Sequence, residues 1–347
     1  MKVALSVTTD SVRIEERPEP APGAGEVVCR LLACGVCGSD VSAAWVAPKV
    51  PAVLGHELVG EIVALGDGVR DRRIGDRVIV HHHAPCGECR RCRRGHETLC
   101  EAFRASALDP GGFAERIRVP AELTAELLAV GGLDVERATF VEPLACVLRA
   151  LDRAGLRAGD SLLVVGAGTG GLLAILAAHA RSADVVWVRE PRHGRLERAL
   201  ALGAERHGNE LVDVALVCTP APAAVRDAFA AVAPGGVLCL YAPPHPGEPL
   251  DLDGLVLYSA EIDVCASYSA GPADMRAALE LIGGGAVDPA PFVTHRLPLE
   301  RTGEALALAR SGDALKALVV GPRWPADRWA RSPREAGPGF PPDRDHR

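Results

Sequence analysis

The sequence lacks an uninterrupted apolar run long enough to cross a membrane. Its longest apolar stretch, residues 162–178, is broken by Gly166, Gly168, Gly170 and Gly171, which suit a strand, a turn and a helix better than a membrane span. An excess of positive charge is missing too. The formal net charge of −7 argues against a polyanionic partner such as nucleic acid and leaves a small, roughly neutral substrate as the better fit. No secretory segment is expected, because Met1 to Leu5 runs into Thr8, Thr9 and Asp10 before an apolar stretch of about 7–15 residues can develop. Without an export signal, the eleven cysteines point to metal binding rather than a disulfide framework, and the expected compartment is the cytoplasm.

At 347 residues the chain has the length of two domains, each able to bury a core. Residues 1–149 read as short β runs broken by Gly and Pro, at 27–31, 58–64, 77–80 and 113–119. From Ser161 the pattern changes to strands alternating with helices: strands 161–165, 185–188, 213–217 and 236–240, and helices 170–181, 194–202 and 223–231. That alternation implies parallel βαβ units and a doubly wound nucleotide fold over residues 150–290. Residues 291–322, with a helix near 299–310 and a strand at 317–320, are expected to complete the first domain. The tail, residues 323–347, has little apolar periodicity and is expected to be disordered.

Cys86, Cys89, Cys92 and Cys100 place four thiols in one short loop, and four thiolates are the favoured set for a closed, structural zinc. Such an ion contributes folding energy rather than catalysis. Arg90, Arg91, Arg93 and Arg94 offset the charge of a zinc tetrathiolate. An iron–sulfur cluster is the competitor, but the ferredoxin run closes after three residues and precedes Pro, whereas here seven intervene and Glu101 follows. Four free thiols are the plainest alternative.

A second, open metal site is drawn from distant parts of the chain. Cys37, His56 and Glu142 supply a thiolate, an imidazole and a carboxylate, the three protein ligands that leave a catalytic zinc one free position. Singly each has a bland reading: a buried thiol, a structural histidine and a charge at a helix start. Cys34 with Cys37 forms a CxxC spacing without the helix-opening context of a redox pair.

Gly166, Gly168 and Gly171, with Thr169 and Gly170 between them, satisfy a G-x-G-x-x-G pattern. Its context is an apolar strand running in, a helix running out, and Glu190 at the end of the next strand. The helix start would meet the pyrophosphate, and Glu190 would accept hydrogen bonds from the ribose hydroxyls and repel a 2′-phosphate, favouring NAD. Arg189, Arg192 and Arg195 flank it and keep NADP as the alternative. A glycine turn that holds no ligand is the plain reading.

Together these motifs resemble the zinc-containing medium-chain dehydrogenase/reductase family, from Val3 to about Pro322. The stretch Phe140 to Ala145 is similar to the branch in which glutamate replaces a ligand cysteine, as in sorbitol, threonine and butanediol dehydrogenases, so Glu142 is expected to ligate ahead of Cys146. The resemblance implies a GroES-like β-rich catalytic domain with a Rossmann domain, two zinc ions per chain, and an active site in the cleft between domains. It further implies Cys37, His56 and Glu142 on the catalytic zinc, Glu57 as a neighbouring or exchanging ligand, Ser39 as proton relay and Asp40 bonded to His56. Homodimers or homotetramers are usual in such a family. Ser42 stands where many relatives carry a histidine in the proton path, and residues 202–212 are shorter than usual.

His81, His82 and His83 follow the strand 77–80. Adjacent strand residues face opposite ways, so a polar strand end is the expected reading rather than a third metal site. The implied reaction is hydride transfer between NAD(P) and a secondary alcohol or ketone, with a polyol, sugar-derived alcohol or aminocyclitol as substrate. A zinc-free enone or quinone reductase of the same fold is one alternative, and a non-catalytic NAD-binding protein with structural zinc only is another.

Overall fold

A computed structural model describes residues 1–322; the expected tail lies outside the described residues. The chain forms two compact units. One comprises Met1–Glu142, Gly271–Gly283 and the described residues from Pro289 onward, and the other Pro143–Ala270 with Gly284–Asp288.

The first unit is built on a seven-stranded sheet whose central member is Val27–Gly35. That strand is almost wholly buried, as its near-continuous apolar sequence requires. It pairs antiparallel with Glu57–Leu65, Arg116–Val119 and Lys316–Val320. The C-terminal strand therefore returns to the first unit, carrying Val293–Pro298 beside it in parallel. Residues 113–115 do not extend the strand that ends at Val119. They make a single bridge, Val3↔Ala114, toward the small sheet of Lys2–Ser6, Val12–Glu16 and Ala52–Val53. Phe113, Leu58, Ile62 and Ile117 are fully buried in the core between.

Register decides what meets at one end of this sheet. Gly35 lies opposite Glu57, and Leu58 opposite Val80. His56, at the start of one strand, and His81, just past the end of its antiparallel neighbour, must therefore leave the sheet at the same end. Val36 donates to Ala317 O at 2.9 Å, which brings the start of the C-terminal strand to that end as well.

The second unit is a six-stranded, all-parallel sheet. Its spatial order is Glu205–Arg206, Val185–Arg189, Ser161–Val165, Val212–Val217, Val232–Leu240 and Asp263–Ala266. In chain order this is 3-2-1-4-5-6, the doubly wound arrangement that binds dinucleotides where the strand order reverses, at the first strand. The helices Thr169–Ala180, His193–Ala201 and Pro222–Phe229 make the crossovers. Two elements without a strong sequence pattern also form: the edge strand Asp263–Ala266 here and, in the first unit, the helix Pro272–Gly283. The expected helix near 299–310 begins with a tight turn, Leu299–Arg301, and continues as Thr302–Ser311.

Candidate functional site

The four spaced cysteines converge. Their sulfurs lie within 4.8 Å of one another, with Cys89–Cys92 and Cys86–Cys100 at 3.5 Å and Cys86–Cys92 at 4.0 Å. A tetrahedron with zinc–sulfur bonds of about 2.3 Å has edges of about 3.8 Å, so the quartet has the dimensions of a zinc cage. Backbone N–H groups of Cys86, Cys89 and Cys92 point at the sulfurs of Cys100, Cys86 and Cys89 at 3.4–3.5 Å, the arrangement that favours thiolates.

Cys37, His56 and Glu57 form a second group of ligand atoms within 4.8 Å of one another. Asp40 organises it from beneath. One carboxylate oxygen accepts from Cys37 N at 3.0 Å, and the other accepts from Gly55 N at 3.3 Å and sits 3.4 Å from His56 Nδ1. This fixes the imidazole with Nε2 outward, 3.5 Å from Ser39 Oγ. Burial raises the Asp40 pKa, but the imidazole and the two N–H groups outweigh it and hold the carboxyl below its usual value. Burial likewise presses His56 toward neutrality, yet Asp40 and Cys37 beside it carry its pKa well above normal.

Glu57 is held by a residue the sequence reading missed. Lys316 Nζ donates to Glu57 Oε2 and to Val36 O, and lies 5.6 Å from the centroid of Phe140. Lys316 and Glu57 are each 2% exposed. Burial lowers the lysine pKa, but Glu57 and Cys37 outweigh it and the net shift is upward. Gly35 makes room for the pair: a Cβ there would lie 1.9 Å from Glu57 Oε2.

Glu142, in the first turn of the helix Val141–Arg153, is buried and meets His81 and His82, again within 4.8 Å. The structure thus brings Cys37 and His56 together with Glu57, and Glu142 together with the histidine tract. The two groups adjoin, since the His56 and His82 ring centroids are 4.7 Å apart. The strand ends at Val80, so the alternation that would splay His81 and His82 no longer applies to them. His83 turns away, its Nδ1 2.8 Å from Ser106 O. Burial lowers the pKa of His81 to about 3 and of His83 to about 4. Cys34 is fully buried, and burial raises its pKa well above the usual thiol value. Neither it nor Cys146 joins a metal-type group among the described residues.

In the second unit the glycine loop has the form a pyrophosphate needs. Gly166 has φ +99°, closed to most side chains. A Cβ on Gly171 would lie 2.0 Å from Gly166 O, and one on Gly170 2.6 Å from the ring of Tyr241. Tyr241 was not legible as a neighbour of this loop. Gly168 precedes the helix beginning at Thr169, and Arg195 Nη1 is 3.9 Å from where a Gly168 Cβ would stand. The Glu190 carboxylate accepts from Ala167 N at 2.7 Å and Arg192 N at 2.9 Å, so it is fixed beside the loop with lone pairs to spare. Arg189 is committed elsewhere, donating to Asp227 O and Gly208 O.

Comparison with known proteins follows the same division. Residues 23–129 match the alcohol dehydrogenase GroES-like domain. Sorbitol dehydrogenase of Bacillus subtilis is 31% identical over 346 residues, covering 92% of this chain and 97% of that protein. L-threonine 3-dehydrogenase of Pyrococcus horikoshii is 32% identical over 328 residues, covering 87% and 92%. The crystal structure of 2R,3R-butanediol dehydrogenase from Bacillus subtilis superposes with a TM-score of 0.81 at 26% identity, covering 92% of this chain and 99% of that one.

Proposed function

The chain belongs to the zinc-containing medium-chain dehydrogenase/reductase family, and on that premise we propose that it moves hydride between NAD(P) and a secondary alcohol of the polyol class, interconverting alcohol and ketone. The observation that carries this reading is the convergence of Cys37, His56 and Glu57, whose ligand atoms lie within 4.8 Å of one another. Zinc bound there would lower the pKa of a hydroxyl beside it toward about 7. Cys37 and His56 would hold it, with Glu57 or Glu142 as the carboxylate that completes the set. Asp40 orients the imidazole by occupying Nδ1. Ser39 Oγ, beside Nε2, takes the proton that the alcohol gives up. The cysteine quartet holds a second zinc that braces residues 86–100.

The glycine loop and the helix beginning at Thr169 take the pyrophosphate, and Glu190 takes the ribose hydroxyls, favouring NAD. Sugar-derived alcohols and aminocyclitols are the proposed substrates. A homodimer or homotetramer is proposed, supported by the open edge strand Asp263–Ala266 and by Leu255 and Tyr258, 74% and 82% exposed on the helix before it. The cytoplasm, where thiolates stay reduced, is the proposed compartment. No helix among the described residues is long and apolar enough to cross a membrane.

Secondary alcohols, polyols and aminocyclitols, each offered with NAD and with NADP, test the reading. Metal-dependent formation of NADH that disappears in Cys37→Ala is expected. NAD binding without turnover of any alcohol, or activity unchanged in Cys37→Ala, would contradict it.

A further inference from the structure

We propose that this chain binds an additional divalent cation of the zinc class between His81, His82 and Glu142, adjoining the Cys37–His56–Glu57 group. His81 is 3% exposed, yet neither of its ring nitrogens has a hydrogen-bond partner, and His82 Nδ1 is also buried without one. A buried polar atom left unpaired costs about 1–3 kcal/mol, and an ion taking one nitrogen from each ring would satisfy one atom of His81 and the one of His82. The third donor is the carboxylate of Glu142, with one ligand atom from each residue within 4.8 Å of the others.

Around a tetrahedral zinc, nitrogen and oxygen donors stand about 3.4 Å apart, so rotations of these side chains close the set without moving the sheet. Two imidazoles and a carboxylate are the ligand set of open zinc sites, and the nitrogen donors disfavour magnesium and calcium. The backbone supports the site. His81 and His82 follow directly on the strand Arg77–Val80, whose last residue is paired with Leu58, and Glu142 sits in the first turn of a long helix. With Glu57 beside Cys37 and His56, Glu142 is placed for a neighbouring ion, and closely spaced pairs of divalent ions are an established arrangement in enzymes. The proposal does not depend on the redox reading.

The test counts zinc per chain in the zinc-loaded full-length protein after dialysis against free zinc, and then exchanges the zinc for cobalt. The wild type is expected to retain about three ions, and His81→Asn and His82→Asn each one fewer, with the quartet's thiolate-to-cobalt absorption unchanged as proof of fold. The ion lost in these variants should show cobalt d–d absorption without a thiolate band. Cys37→Ser should instead lower the thiolate absorption to that of the quartet alone and leave the histidine-bound ion. Saturation of the wild type at two ions, or equal zinc content in the wild type and both histidine variants, would overturn the proposal. A Cys37→Ser protein that keeps full thiolate absorption would overturn the Cys37 reading alone.

Discussion

Lys316→Met isolates the physical feature on which the metal pocket leans. Lys316 and Glu57 are each 2% exposed and ion-paired, in a pocket that also holds Cys37 and Asp40. Removing one partner of a buried pair leaves an uncompensated charge and costs about 3–5 kcal/mol. Methionine fills most of the lysine volume, so the loss should be electrostatic rather than a cavity. In a unit of this size about 1 kcal/mol shifts the melting temperature by roughly 2–4 °C, and a fall of about 6–20 °C follows for the zinc-free protein. Bound zinc should return part of that loss, because a cation beside Glu57 replaces the missing ammonium. The difference in melting temperature with and without zinc should thus be larger in the variant than in the wild type. Glu57→Gln combined with Lys316→Met should recover stability, since neither charge is then left alone. Calorimetry of the wild type, Lys316→Met and the double variant, with zinc and after chelation, reads all of this. A Lys316→Met protein that melts within a degree or two of wild type, or a double variant no better than the single, would refute the reasoning.

Other outcomes follow from the same geometry. Cys86→Ser should lower the zinc content by one ion per chain, measured by elemental analysis, and expose residues 86–100 to proteolysis, because a structural zinc supplies folding energy that this stretch does not supply for itself. Gly171→Ala should weaken NADH binding at least about tenfold in a fluorescence titration, as the new methyl group would press on Gly166 O and move the loop. Glu190→Gln should shift the NADP to NAD preference toward NADP by about tenfold or more in kcat/KM, equivalent to about 1.4 kcal/mol. Unaltered preference would place cofactor discrimination elsewhere.

Much of the fold was legible because its signals are local. The strand Ser161–Val165 and the glycines after it announce a parallel βαβ unit, and the four inner strands of the sheet follow from that alternation. The cysteine quartet was equally plain, since its four ligands lie within fifteen residues and need no tertiary knowledge to meet. The edge strand Asp263–Ala266 was not legible: it is only four residues long, mostly exposed, and ordered by one neighbouring strand. The metal pocket was read in part. Cys37, His56 and Asp40 came from the family resemblance, whereas which carboxylate stands beside them depends on register. Gly35 opposite Glu57 and Leu58 opposite Val80 bring His81 and Lys316 to the same end of the sheet. Lys316, one of only three lysines in the chain, stands just before the strand expected at 317–320 and carries no motif of its own. The histidine tract was read as alternating because strand geometry was carried past Val80, where the strand ends.

The central claim is that a cation sits where Cys37, His56 and a glutamate converge. A crystal of the zinc-loaded protein, with anomalous diffraction recorded on both sides of the zinc absorption edge, tests it most directly. A strong zinc peak is expected within about 2.0–2.3 Å of Cys37 Sγ, His56 Nε2 and a carboxylate oxygen of Glu57 or Glu142. Zinc at the cysteine quartet with no anomalous density beside Cys37 and His56 would contradict it.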